Sequence, residues 1–362
     1  MDLGIIGLER SGKTTLFNAV AGGHARTGSY GGQEPNIGVV KVPDERLTKL
    51  CALVNPKKVT PVEARYLDFP GSLSLRGAGS EAAHLAALAQ CDALVHVVRA
   101  FHDESVPHPE VSVDAERDIA AVHLELAFAD AAVLERRAEK LEMTVRSARA
   151  GDREGGEREL ALVQRLREAL ERDEPLRQQP LTPDERRTIS GFQLLTNKPQ
   201  LIVVNVDDAD VGRASEIEAG ISGRWGGTGV EVAALCAKLE QELRELSDEE
   251  AQEFRNDLGI TEGGLERMLR LAQQVLGLLT FFTIGEQDGH AWALPHGSTA
   301  LDAAAKIHSD IARGFIRAEV IGWQEMVETG SWAEGRKQGL MRTEGKQYVM
   351  QDGDVVNVLF NV

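Results

Sequence analysis

Short apolar runs alternate with amphipathic stretches along the first two-thirds of the chain, and that alternation sets the expected fold class. Leu3-Gly4-Ile5-Ile6 is an uncharged run ending at Gly7, and Thr15-Leu16-Phe17-Asn18-Ala19-Val20 beyond it has a helical pattern. Residues 62–67 read as a strand that ends at Asp68-Phe69-Pro70-Gly71. Residues 92–98 and 200–204 are near-continuous apolar runs rich in Val, Ile and Leu, the composition of strands buried on both faces. Strands alternating with helices predict an α/β fold with a doubly wound, mainly parallel sheet and ligand loops at the C-terminal ends of its strands.

Two departures from this alternation predict further parts. Leu134, Ala138, Leu141 and Val145 form one helical stripe, and Leu160, Val163, Leu166 and Leu170 form a second. Gly151, Gly155 and Gly156 between them are expected to break the helix, giving an inserted antiparallel helical hairpin. From Leu279-Thr280-Phe281-Phe282-Thr283-Ile284 onward the pattern is strand-rich, with a turn at Gln351-Asp352-Gly353-Asp354 before a last strand over 355–362. The expected domains are 1–122 with 191–278, the hairpin 123–190, and a small α+β domain over 279–362.

Composition narrows the class. With 362 residues, 42% of them hydrophobic, the chain has the make-up of two or three globular domains. It holds no run of 18 apolar residues, and its start lacks a secretory core, so a cytoplasmic protein without a membrane span is expected. Cys51, Cys91 and Cys236 are too far apart to suggest a metal site or a disulfide framework, and buried thiols are expected. The net charge of −17 repels nucleic acid overall. No DNA partner is expected, and an RNA partner would need a local basic patch, for which Lys57-Lys58 and Arg186-Arg187 are candidates.

The chemistry enters at the first strand end. Gly7-Leu8-Glu9-Arg10-Ser11-Gly12-Lys13-Thr14 fits G-x-x-x-x-G-K-[ST] between a strand and a helix, the context this P-loop pattern requires. The glycines let the backbone curl until several N–H groups point inward, and with the helix N-terminus these make an anion site. Gly7, Ser11, Gly12, Lys13, Thr14 and Thr15 are therefore read as a polyphosphate cradle, with Lys13 the catalytic charge at the β- and γ-phosphates. The Thr14 hydroxyl and the Asp68 carboxylate are read as Mg²⁺ ligands, and Gly71 as the amide that senses a γ-phosphate. In GTPases an Asn-Lys-x-Asp stretch after the later strand reads guanine. Here Asn205-Val206-Asp207-Asp208 keeps the Asn and the fourth Asp, so Asn205 and Asp208 are the candidate base contacts. Residues 232–238 resemble the last base-contacting loop, with backbone N–H groups near Cys236 and Ala237. His96, inside an apolar strand, reads as a satisfied structural histidine.

These motifs come with stretches that resemble the YchF/Obg-like ATPase family over nearly the whole chain. They are Glu34-Pro35-Asn36-Ile37-Gly38, Cys91-Asp92-Ala93-Leu94-Val95-His96, Leu194-Leu195-Thr196-Asn197-Lys198-Pro199, and above all Arg313-Gly314-Phe315-Ile316-Arg317-Ala318-Glu319-Val320. The resemblance implies a GTPase-like domain carrying a helical hairpin, a C-terminal TGS-like domain, ribosome association and frequent use of ATP. His308, Arg313, Arg317 and Trp323 are then candidate RNA contacts, with core or surface packing the plainer alternative.

The chain departs from that family in ways that bear on mechanism, the first in the P-loop, where Glu9, Arg10 and Ser11 replace the usual Pro, Asn and Val. Arg10 stands where an Asn is usual and is read as a candidate catalytic charge supplied in cis. Gly32 replaces a Thr whose hydroxyl would close on Mg²⁺, with Thr27 or Ser29 as substitutes. Ser72 follows Gly71 where many GTPases carry a water-orienting Gln. Asp208 replaces a Glu associated with ATP, which leans the base preference to GTP while ATP stays open. The expected function is a slow, Mg²⁺-dependent GTPase or ATPase acting as a ribosome-associated switch. The alternative is a nucleotide-binding adaptor with little hydrolysis, which Gly32 and Ser72 favour.

Overall fold

The computed structural model describes residues 1–22, 35–69, 80–147, 150–258, 260 and 262–361. From the N-terminus the elements are β1 (Asp2–Ile6), α1 (Lys13–Ala21), β2 (Asn36–Lys41), α2 (Glu45–Val54), β3 (Lys58–Thr60), β4 (Glu63–Asp68), α3 (Ser80–Gln90) and β5 (Ala93–Arg99). Then come α4 (Ala115–Ser147), α5 (Ala150–Glu171), α6 (Pro183–Ser190), β6 (Gln200–Asn205), α7 (Ala214–Trp225), β7 (Val230–Leu235), α8 (Ala237–Leu243), α9 (Asp248–Asp257) and α10 (Gly264–Val275). The chain ends with β8 (Leu278–Ile284), β9 (Asp288–Pro295), α11 (Ala300–Ile307), α12 (Ser309–Arg313), β10 (Phe315–Gly322), α13 (Trp323–Thr329), α14 (Trp332–Lys337), β11 (Arg342–Glu344) and β12 (Asp354–Phe360). None of the described helices is long and apolar enough to cross a membrane.

Two compact units result: Met1–Val40 with Arg65–Val275, and Lys41–Ala64 with Leu276–Val362. The first holds a sheet of order β2-β4-β1-β5-β6-β7. Its β1 runs parallel to β4 and β5, and β6 parallel to β5 and β7. This is the predicted doubly wound arrangement. Every residue of β5 and β6 is buried, as the apolar runs at their centres favour, and the burial extends to the polar His96, Arg99, Gln200 and Asn205. The strand order places the ends of β1, β4, β5, β6 and β7 side by side, where the candidate residues lie.

The helical hairpin forms along the predicted stripes. Leu134, Ala138 and Leu141 of α4 meet Val163, Leu166 and Leu170 of α5 in one cluster. Leu160 is only partly buried there, and Leu162 and Ala169 take fuller seats. The glycines do not break the helix: α5 starts at Ala150 and runs through Gly151, Gly155 and Gly156. A Cβ on Gly156 would sit 2.8 Å from Val145 Cγ2, so the missing side chain lets the two helices approach. Packing outweighs the roughly 1 kcal/mol that each glycine costs in a helix.

The second unit is a mixed sheet of order β11-β10-β12-β8-β9-β3. The β8–β9 and β10–β12 pairs are antiparallel, while β12–β8 and β3–β9 are parallel. Leu279, Phe281, Ala303, Phe315, Val320 and Val356 centre its core. The unit differs from the domain boundaries expected from sequence, because residues 41–64 belong to it. Strand β3 joins the sheet through β9, and Arg46 adds to this: its Nη1 meets Asp352 Oδ2 at 2.6 Å, and its guanidinium lies 5.2 Å from the centre of the Phe282 ring. Two of the RNA candidates have local roles: His308 Nδ1 accepts the Asp310 N–H, and Lys49 lies over the Trp323 ring.

Candidate functional site: the P-loop and the strand ends around it

Chain geometry dictates the two glycines of the loop between β1 and α1. Gly7 has φ 147°, and a Cβ there would come within 2.3 Å of the Val97 carbonyl oxygen. Gly12, at φ 94°, caps α1, and a Cβ there would lie 2.2 Å from Asn205 Nδ2. Any side chain at either point collides with backbone or with a buried amide. The loop closes on Lys13, whose Nζ donates to the carbonyls of Gly7 at 3.1 Å and Leu8 at 2.8 Å. Burial pushes the Lys13 pKa down to about 8, against the opposing pull of Asp68 and Glu9.

Asp68, at the end of β4, is fully buried. Its Oδ2 accepts from the Thr14 hydroxyl at 3.0 Å and from Asn36 Nδ2 at 3.2 Å. Its Oδ1 is buried with no partner among the described residues, and so is the Ser11 hydroxyl. An unmatched carboxylate oxygen next to a Thr hydroxyl is an all-oxygen donor set, which suits a hard divalent cation. Thr14 and Thr15 are half-buried at the start of α1. Sequence reasoning missed the contribution of Asn36. It lies in a quoted stretch, but its contact with Asp68 bridges β2 and β4 and has no local pattern.

At the end of β6 the geometry revises the expected division of labour. Asn205 Nδ2 donates to the Ser11 carbonyl at 3.0 Å, and its Oδ1 accepts the Ala237 N–H at 3.0 Å. Asn205 is thus a brace that ties the P-loop to the start of α8, and the Ala237 amide is already engaged. Cys236 is buried at the N-cap of α8. Asp208 is exposed, and its Oδ1 accepts the N–H of Ala209. Arg10 is exposed at φ 60°, and its Nη1 donates to the Pro107 carbonyl at 2.8 Å. Its guanidinium is therefore engaged by the loop after β5, not held over the P-loop glycines. Gly71, Ser72, Gly32, Thr27 and Ser29 lie outside the described residues.

Comparison with known proteins gives this arrangement its context. A family model described as 50S ribosome-binding GTPase matches residues 2–133. Another, the C-terminal domain of YchF GTPases, described as a protein of unknown function, matches 278–361. The chain is 40% identical to the ribosome-binding ATPase YchF of Bacillus subtilis and 37% identical to that of Pasteurella multocida, covering 99% of each chain in both cases. It belongs to the YchF family. The structure of the Schizosaccharomyces pombe YchF GTPase superposes with a TM-score of 0.85 at 28% identity, covering 99% of this chain and 97% of that one.

One stretch that carried the YchF resemblance acquires a physical role. Asp130 of α4 is buried and accepts from the N–H groups of Leu195 and Thr196 and from the Thr196 hydroxyl, at 2.6 to 2.8 Å. Lys198 Nζ donates to the Cys91 carbonyl at 2.6 Å. The 194–199 stretch of this YchF family member thus sets where the helical hairpin returns to the sheet, at the start of β6. His96 is buried, and its Nδ1 meets Gln200 Nε2 at 3.2 Å, as a satisfied structural histidine should.

Proposed function

We propose that the chain binds a purine nucleoside triphosphate with Mg²⁺ and hydrolyses it slowly, as a cytoplasmic, ribosome-associated switch. The observation that carries this reading is the convergence of Lys13, Thr14 and buried Asp68, with one Asp68 oxygen unmatched, beneath a loop that tolerates only glycine at two points. The names of the relatives support the ribosome and the hydrolysis. Gly7, Gly12 and the first amides of α1 would bind the polyphosphate, and Lys13 would turn from its two carbonyls to the β- and γ-phosphates. Thr14 and Asp68 would hold Mg²⁺, which neutralises phosphate charge when bound. Gly71 would sense the γ-phosphate. Asp208, exposed beside the Asn205 brace, is the residue we assign to base choice, together with backbone near Cys236.

Titration with fluorescent GTP and ATP, with and without Mg²⁺, tests the reading. Lys13→Ala should weaken binding by roughly a hundredfold or more, the scale of a lost charge-stabilising group. Asp68→Asn should remove most of the Mg²⁺ dependence. If both variants bind like the wild type, the assignment is wrong. Asp208→Ala should cost GTP affinity more than ATP affinity; indifference would make the family's ATP habit the better guide. Ser72, next to Gly71, favours the second reading of an adaptor that scarcely turns over. Turnover measured with and without ribosomes separates the two readings.

A further inference from the structure

Arg99 is the last residue of β5 and is only 2% exposed. A buried guanidinium loses several kcal/mol of solvation, normally offset by a carboxylate. Among the described residues Arg99 forms no ion pair. Its Nε donates to the Phe101 carbonyl at 3.2 Å, and its Nη2 to the Asp103 carbonyl at 3.4 Å. The guanidinium lies 4.4 Å from the centre of the Phe101 ring. Its Nη1 is buried without an acceptor among the described residues.

All of these contacts grip one turn, residues 100–103, and the same turn is fastened from the other side. The Ala100 N–H donates to the Asn205 carbonyl at 2.8 Å, and the His102 N–H to Asp207 Oδ2 at 3.0 Å. Phe101 Cε1 lies 3.9 Å from the point where a Cβ on Gly12 would stand. The turn therefore spans from the P-loop to the Asn205–Asp207 corner. The planar fork of a guanidinium is suited to bonding two carbonyls of one turn while its face lies against the ring.

We propose that Arg99 is a positioning residue for nucleotide binding, holding the 100–103 turn where it joins the P-loop to the base corner. The inference rests on the nucleotide reading above. It concerns the base-bearing end of the ligand, because Arg99 itself bonds the Phe101 and Asp103 carbonyls and none of Gly7, Gly12 and Lys13, the residues assigned to the polyphosphate. The competing role is electrostatic, with Arg99 as one more cation near Lys13. A charge acts on bare polyphosphate as strongly as on a nucleotide, whereas a positioned turn does not.

Arg99→Met and Arg99→Lys decide between them. Each full-length variant is titrated with fluorescent ATP and GTP analogues, then competed with inorganic tripolyphosphate, and its melting is recorded. The positioning role requires both variants to raise the Kd of both nucleotides roughly tenfold, the scale of a lost hydrogen bond to a charged group. Tripolyphosphate affinity stays at the wild-type value. Lysine keeps the charge and lacks the fork, so it does not rescue. A parallel loss of tripolyphosphate affinity, rescue by lysine, or unchanged nucleotide binding each overturns the proposal. Phe101→Leu leaves the cation in place and should show the same split; if the Arg99 variants do not fold, it decides alone. A wild type that binds no nucleotide overturns the functional reading itself, whereas normal wild-type binding with unaltered variants overturns this inference only.

Discussion

Burying an ammonium costs free energy that its partners must offset, and among the described residues the Lys13 ammonium hydrogen-bonds only two carbonyl oxygens. Its pKa near 8 therefore lies within reach of ordinary buffers. A polyphosphate beside it would favour the charged form and raise that value. Below about pH 7 Lys13 is charged with or without ligand, so it adds no pH dependence of its own to the affinity. Above pH 8 the amine loses its proton, and binding must restore it. Affinity should fall with rising pH, and calorimetry at pH 8.5 in buffers of different ionisation enthalpy should show net proton uptake; no uptake would contradict the burial argument. Asn205 sits at the same scale. Its amide is 5% exposed and has both ends used. Asn205→Ala leaves the Ser11 carbonyl and the Ala237 N–H unmatched, at about 1–3 kcal/mol for a buried group. The variant should melt at lower temperature even with no nucleotide added, which a residue that only contacts the base would not do. The sequence pattern could place Asn205 at a strand end next to the site. It could not show that the amide points back to the P-loop, since that contact joins residues 194 positions apart.

Between residues and the whole lie the elements, and here the apolar period was the best guide. The stripes on α4 and α5 were legible because a helical seam repeats within a few residues. The helix break expected at Gly151, Gly155 and Gly156 was misread, because intrinsic propensity is a weak prior against a packed seam. The anchor of the hairpin was not legible at all. Gln200, the first residue of β6, accepts on Oε1 from His123 Nε2 at 2.8 Å and from Arg177 Nη2 at 3.0 Å, and no motif joins three residues so far apart. Burial, with a smaller push from Arg177, lowers the His123 pKa from 6.5 to about 4. Because the folded-state value is depressed, the folded chain binds fewer protons than the unfolded one. This contribution to stability is complete above about pH 6.5 and is lost as the pH falls towards 4. His123→Gln should therefore flatten the dependence of melting temperature on pH between 6.5 and 4.5. An unchanged slope would mean that other groups, such as buried His96, govern acid sensitivity.

On the scale of the whole molecule, the match to the C-terminal family domain spans 278–361, yet the sheet formed by that segment is not built from it alone. Its sixth strand, β3, comes from residues 58–60 and pairs in parallel with β9. Helix α2 buries Leu47, Leu50 and Cys51, and a Cβ on Gly289 would come within 2.4 Å of the Cys51 sulfur. Three buried apolar side chains contribute about 2 kcal/mol each, a large share of what a small domain has in total. Arg46 adds the contact with Asp352, across 306 positions of sequence. A reading that cuts the chain into contiguous pieces assigns 41–64 to the nucleotide domain, because nothing within that segment announces a partner so distant. The consequence is measurable. A fragment of residues 276–362 should show weak, broad melting by circular dichroism, with apolar surface open to a dye such as ANS. Supplying residues 41–64, in trans or through a flexible linker, should sharpen the transition and raise its midpoint, and Arg46→Ala in the supplied segment should reduce the gain. Cooperative melting of 276–362 by itself, indifferent to the added segment, would show that β3 and α2 merely decorate a sheet that is stable without them.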